Sequence, residues 1–159
     1  MGSLVVLPDR AGAAAQPAHL AAILKDRNTP GFFEVELRPH LRGDGPSHRQ
    51  IDTLASRAPL SVHGAGLGIG GEDPHSRVML GRLHRFCERH PATAISEDLM
   101  LSAQDGPTAI LTRICDQIDL AHEVLRRPLL LGNPGPRSCP GRSGEEEADL
   151  LSQIVHRTG

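Results

Sequence analysis

An α/β chain with a parallel sheet is predicted by three observations. Short apolar runs alternate five times with helical patterns. Glycine, proline and aspartate punctuate the joints. Polar residues close three of the runs: Ser61-Val62-His63-Gly64 after Pro59 to Val62, Ser96-Glu97-Asp98-Leu99 after Thr93 to Ile95, and Leu131-Gly132-Asn133-Pro134 after Pro128 to Leu131. The runs are β-branched or leucine-rich, as parallel strands buried on both faces are. Polar residues at the C-terminal ends of successive strands mark the edge where parallel α/β proteins do chemistry.

The elements follow in order. Ser3 to Leu7 is read as a first strand, Asp9 to Gln16 as a small-residue loop, and Pro17 to Asp26 as a helix with Leu20, Ile23 and Leu24 on one stripe. Asn28-Thr29-Pro30-Gly31 signals a turn. Phe32 to Leu37 alternates as a strand, with Glu34 and Glu36 opposite Phe33 and Val35. A helix runs from Pro46, a residue suited to the first turn, to Arg57. Leu60 to His63 is the third strand. Asp73-Pro74 caps and opens a helix to His90, with Met79, Leu83 and Phe86 buried. Thr93 to Ser96 is the fourth strand. Pro107 to Arg127 is a long helix aligning Leu111, Ile114, Ile118, Ala121 and Leu125. Pro128 to Leu131 is the fifth strand. Ser143 caps a last helix to His156, with Glu145, Glu146 and Glu147 in the first turn, where the helix dipole favours them.

Composition narrows the function classes. The chain has 159 residues and a formal charge of −2, enough length for one domain with a core. That charge gives no electrostatic case for nucleic acid or an anionic membrane. Arg82, Arg85 and Arg89 read as a solvated helix face. With three Phe and neither Tyr nor Trp, stacking on bases has little to work with. The three cysteines lack CxxC spacing, and no run reaches membrane-spanning length. A reducing cytoplasm is the expected compartment. Cys87 and Cys115 fall at core-facing helical positions; Cys139 lies in a Pro/Gly loop.

Two motifs carry candidate chemistry. Gly66-Leu67-Gly68-Ile69-Gly70-Gly71 fits the dinucleotide fingerprint in spelling. Its helix is delayed to Asp73-Pro74 and opens on an acidic cap, so a flexible glycine loop at a sheet mouth is the better reading. His63 ends one strand, Glu97 and Asp98 the next, and Glu34 and Glu36 lie on an earlier one. Strand ends converge on one mouth, and histidine with carboxylates suits iron, manganese or zinc. His63, Glu97 and Asp98 are therefore the candidate metal ligands. Asn133, Glu34 and Glu36 are candidates for binding or orienting substrate. His40 could face the same mouth. His84, His90 and His122 lie within or at the ends of helices and are read as surface or packing residues; His19, His48, His75 and His156 occupy ordinary helix positions.

The stretches Gly31 to Glu36, Ala58 to Gly70, Ala94 to Leu99 and Arg127 to Pro134 together resemble a bacterial family. These are the multinuclear non-heme iron-dependent oxidative enzymes that include the methanobactin-biosynthesis oxidase. The resemblance runs from about Phe32 to Gly159 and implies a TIM barrel of the xylose-isomerase-like kind. It further implies iron as cofactor, oxidation of cysteine residues in ribosomally made peptides, and a small partner protein that presents the precursor peptide.

Departures from the family pattern set further expectations. Asp98 stands where the family has a histidine, Gly132 where it has a glutamate, and Arg38-Pro39 near its Glu-Asn pair. A family loop is shortened between Ser102 and Pro107. Members continue after an Arg-Thr-Gly like Arg157-Thr158-Gly159 into further ligand-bearing strands. The expectation is thus one incomplete barrel domain over residues 1–159, of about five βα units where a closed barrel takes ~250 residues. An open parallel α/β sheet is the alternative. Such a chain would be a catalytically impaired oxidase, or a non-catalytic remnant or interaction module pairing with another chain. Uncharged edges at Leu4 to Leu7 and Leu129 to Leu131, with an apolar inner face, would make it aggregation-prone or a homodimer.

Overall fold

The computed structural model describes residues 7–40, 46–64, 66–71, 77–100, 106–132 and 144–159. Its elements are β1 (Ala13–Ala14), α1 (Leu20–Lys25), β2 (Phe33–Glu36), a 3₁₀ turn (Arg38–His40), α2 (Pro46–Ala55), β3 (Leu60–His63), α3 (Arg77–Arg89), β4 (Ala92–Asp98), α4 (Pro107–Leu125), β5 (Leu130–Gly132) and α5 (Gly144–Thr158). All neighbouring strands are parallel, in the order β1-β2-β3-β4-β5.

That order decides between the two architectures. A doubly wound open sheet reverses its strand order part-way and so carries helices on both faces. Here the order never reverses, so right-handed crossovers put the helices on one side. The helices indeed neighbour one another in sequence: α1 packs on α2, α3 on α4 and α4 on α5. The α2–α3 contact is made by His48 and His90. The sheet is a sector of a barrel, open between β1 and β5 among the described residues.

The core lies between sheet and helices. Phe33, Val35, Leu60, Val62 and Ile95 supply the strand side; Leu80, Leu83, Phe86, Cys87 and the α4 stripe of Leu111, Ile114, Ile118, Ala121 and Leu125 supply the helix side. The buried face of α3 centres on Leu80 and Leu83, with Met79 only half-buried. Burial pushes the Cys87 thiol up to about 11, which leaves it protonated and inert.

Several boundaries differ from the expected ones. The first strand is Ala13–Ala14, inside the expected loop; Leu7 is not in a strand, and residues 3–6 lie outside the described residues. Ala13 and Ala14 pair with Phe33 and Glu34. A two-residue edge offers little template for foreign pairing. Glu97 and Asp98 belong to β4 itself, because their ladder to Leu131 and Gly132 continues the strand. The expected apolar inner face is also corrected. Residues aligned on that side include Ala14, Glu34, Ser61 and Ala94, which are small or polar; the large exposed side chain there is Leu130, 48% exposed. The caps at Asp73-Pro74 and Ser143, and Cys139, lie outside the described residues.

The register between β3 and β4 is irregular. Leu60 aligns with Ala92, but Ser61 aligns with Ala94, so Thr93 is an extra residue in β4. Such a bulge shifts by one the side chains that share a face from that point on.

His48 and His90 are both buried, so of the two roles read for His90 the structure gives it packing. His48 Nδ1 lies 2.9 Å from His90 Nε2. His90 Nδ1 lies 2.8 Å from Asp52 Oδ1, off the line of a straight hydrogen bond. Phe86 covers both rings. Burial holds His90 below the ordinary histidine value; Asp52 opposes the shift, while His48 and Arg89 reinforce it. His40 is lowered too, by burial and by His48, with Glu36 opposing.

The sign of the linkage follows. The unfolded chain takes up protons near 6.5, where the folded chain still keeps these rings neutral. Their contribution is complete above that value and is lost as pH falls through the lowered folded values. The urea midpoint should therefore hold from about pH 8 to about pH 7 and decline below about pH 6.5. His90→Gln, which keeps a polar partner for His48, should flatten the decline. A midpoint that rises on acidification would contradict the assignment.

Candidate functional site

Strand register assembles one face of the site. Glu36 aligns with His63, and His63 with Ser96. Alternation along β4 then carries Asp98 to the same side as Ser96 and turns Glu97 to the other. Burial agrees: Ser96 is half-buried, Glu97 buried and Asp98 exposed. The His63 ring sits between its neighbours, with Nδ1 3.0 Å from Ser96 Oγ and Nε2 3.8 Å from Asp98 Oδ2. His63 is 36% exposed and Asp98 63%, so both are open to a ligand. Beside them a cavity of about 260 Å³ is lined by Ala14, Gln16, Glu34, Glu36, His63 and Gly64.

Asp98 owes its position to a missing side chain on β5. Gly132 is its register partner, and a β-carbon there would collide with Asp98 Oδ1. The Arg38 guanidinium lies over Gly66, filling the space beside a glycine with φ +72°.

The expected convergence of His63, Glu97 and Asp98 on one cavity is corrected. Among the described residues no three His, Cys, Asp or Glu side chains come together closely enough to enclose a metal ion. The structure joins His63 to Asp98 and gathers Glu34 and Glu36 around His63. Glu97 faces away because of the Thr93 bulge: without it, His63 would align with Ile95 and share its face with Glu97. His40 is buried in the turn after β2 and lines no part of the cavity. Asn133 lies outside the described residues.

Glu97 acts on the glycine loop instead. Its Oε2 accepts the Leu67 N–H at 3.1 Å, and the Gly66 N–H also acts on it. Burial nonetheless pushes its carboxyl up, against those two amides and His63. Gln117 of α4 clasps the same loop, accepting from Gly70 N–H at 2.6 Å and donating to Gly71 carbonyl at 3.2 Å. Arg113 Nε donates to the Gly70 carbonyl at 3.2 Å, and Met100 N–H to Ile69 carbonyl at 2.7 Å. Leu67 and Ile69 are buried between the glycines. The loop expected to be flexible is pinned, and these amides are spent within the protein rather than held for a phosphate. Sequence reasoning missed Gln117 and Arg113; the one signal was a buried polar residue, Gln117, inside an apolar helical stripe.

A family model described as RiPP precursor modification enzyme MbnB/TglH/ChrH matches residues 10–159. The chain belongs to this family. It is 35% identical to a UPF0276 protein of Bordetella pertussis over 164 residues, covering 96% of this chain and 57% of that protein. Similar matches are UPF0276 proteins of Rhizobium meliloti (32%, covering 94% and 52%) and Paraburkholderia phytofirmans (29%, covering 93% and 52%). The chain spans about half the length of the curated relatives it matches. Among the described residues no helix is long and apolar enough to cross a membrane.

The two roles of Glu97, loop anchor or ligand, separate experimentally. Glu97→Ala leaves buried amides unpaired and should lower stability by about 1–3 kcal/mol. Glu97→Gln keeps an acceptor and removes a buried charge, so it should match or exceed wild-type stability at neutral pH. Thermal unfolding of the three proteins checks this. Equal loss in both variants would contradict the anchoring role.

Proposed function

We propose that this chain forms the wall of a peptide-modifying iron oxidase that presents His63 and Asp98 to a metal ion. The observation that carries the reading is the 3.8 Å approach of His63 Nε2 and Asp98 Oδ2 on the inner face, at the C-terminal ends of adjacent strands. A first-row metal ion would be held by these two side chains from adjacent strands. Imidazole with carboxylate suits iron as well as zinc or manganese. The donor set fits part of one ion's shell.

Iron, when bound, supplies the redox chemistry for oxidising a cysteine thiolate of a ribosomally made peptide, with dioxygen as the electron acceptor. The chain's own side chains do the rest. His63 and Asp98 hold the ion's position, Glu34 and Glu36 orient the peptide in the cavity, and the pinned loop of Gly66 to Gly71 forms a rigid rim. A small partner protein presents the precursor peptide, and the reducing cytoplasm keeps its thiols available. A second reading, a non-catalytic interaction module, is favoured by exposed Leu130 on the β5 edge strand. In that reading the edge pairs with another chain or with a second copy of this one.

Anaerobic titration with ferrous iron separates the two. The oxidase reading expects one ion per chain, lost in His63→Ala and in Asp98→Ala and retained in His122→Ala and Glu97→Gln. A folded wild-type chain that takes up no iron would leave the interaction module.

A further inference from the structure

We infer that Ser96 is a positioning residue that fixes the His63 ring with Nε2 turned toward Asp98. The inference rests on the metal-holding role of His63 and adds the residue that sets its geometry. Register makes the two neighbours: Ser96 is the β4 partner of His63 on the inner face. Its Oγ lies 3.0 Å from Nδ1 and 3.4 Å from the Val62 carbonyl.

Proton counting assigns the direction of these contacts. A histidine that binds a metal through Nε2 carries no proton there, so the single hydrogen of the neutral ring sits on Nδ1. The side-chain partner at hydrogen-bond distance from Nδ1 is Ser96 Oγ, which must then accept. Ser96 keeps one hydrogen of its own, and the Val62 carbonyl receives it. The relay runs from Nδ1–H to the hydroxyl to the β3 backbone. Metal-binding histidines ordinarily donate their second N–H to a carboxylate, carbonyl or water, which fixes tautomer and ring orientation. Here the hydroxyl reaches the backbone on their behalf. Because both ends of the relay lie in the β3–β4 ladder, the ring is held by the sheet and not by a loop.

A structural role for the hydroxyl alone predicts no effect on metal geometry, and that difference is measurable. Co(II), a redox-stable substitute for ferrous iron, is titrated into wild type, Ser96→Ala and Ser96→Thr, with folding checked by circular dichroism. Proton NMR of the Co(II) forms follows the exchangeable, paramagnetically shifted Nδ1–H of His63. The expected result is affinity about 10–100-fold weaker in Ser96→Ala, recovery in Ser96→Thr, and an Nδ1–H signal seen in wild type but lost to fast exchange in Ser96→Ala. Unchanged affinity and signal in Ser96→Ala would overturn the inference while leaving the metal-holding role intact. Equal loss in the Ala and Thr variants would overturn it in favour of packing. Absence of Co(II) binding in the folded wild type would remove the metal-holding role and this inference together.

Discussion

The one-residue shift between β3 and β4 is the constraint on which the site depends. Leu60 pairs with Ala92 and Ser61 with Ala94. Side chains alternate along a strand with period two, so a single added residue exchanges the faces of everything beyond it. Beyond Thr93 the exchange brings Ser96 and Asp98 to His63 and sends Glu97 behind the sheet. Every later feature follows: the hydroxyl on Nδ1, the carboxylate near Nε2, and the buried carboxylate that holds the glycine loop. Gly132 completes the arrangement from β5 by leaving room for Asp98.

The two sides of the sheet are built on different physics. Toward the helices, apolar strand residues meet the stripes of α3 and α4, and burial is the stabilising force. The α2–α3 contact differs: two buried imidazoles and Phe86 meet there. Such a contact is directional, and it ties stability to pH in a way that leucines would not. Toward the inside, the aligned residues are small or polar, which leaves a cavity where a fully packed barrel interior would have branched side chains. Polar clasps join apolar packing at the rim: Glu97, Gln117 and Arg113 fix the backbone of the loop whose glycines adopt positive φ, while Leu67 and Ile69 are buried in the core.

Much of this was legible in the sequence. Apolar runs and helical stripes located β2, β3, α4 and the α/β alternation, because burial on a defined face imposes periodicity. The third strand, Leu60–His63, has the bounds read from the sequence, and the five apolar positions of α4 are all buried. The family was legible in its motifs. Strand order was not, since βα alternation is shared by barrels and open sheets. Nor was the first strand: Ala13 and Ala14 carry no strand propensity and are placed by pairing with Phe33 and Glu34. The bulge left no trace in Ala92-Thr93-Ala94, so Glu97 and Asp98 looked equivalent. The pairing of His48 with His90 was not legible because α2 and α3 bring them together only in three dimensions.

The most direct measurement of the central claim is the set of nuclear Overhauser contacts made by the His63 ring in uniformly labelled protein. The account predicts contacts from the ring protons to the β-protons of Ser96 and Asp98, and contacts from the Glu97 side chain to the Leu67 amide. Contacts from the His63 ring to the Glu97 side chain, with none to Asp98, would show that β4 runs without the shift and that the site is built from the other face.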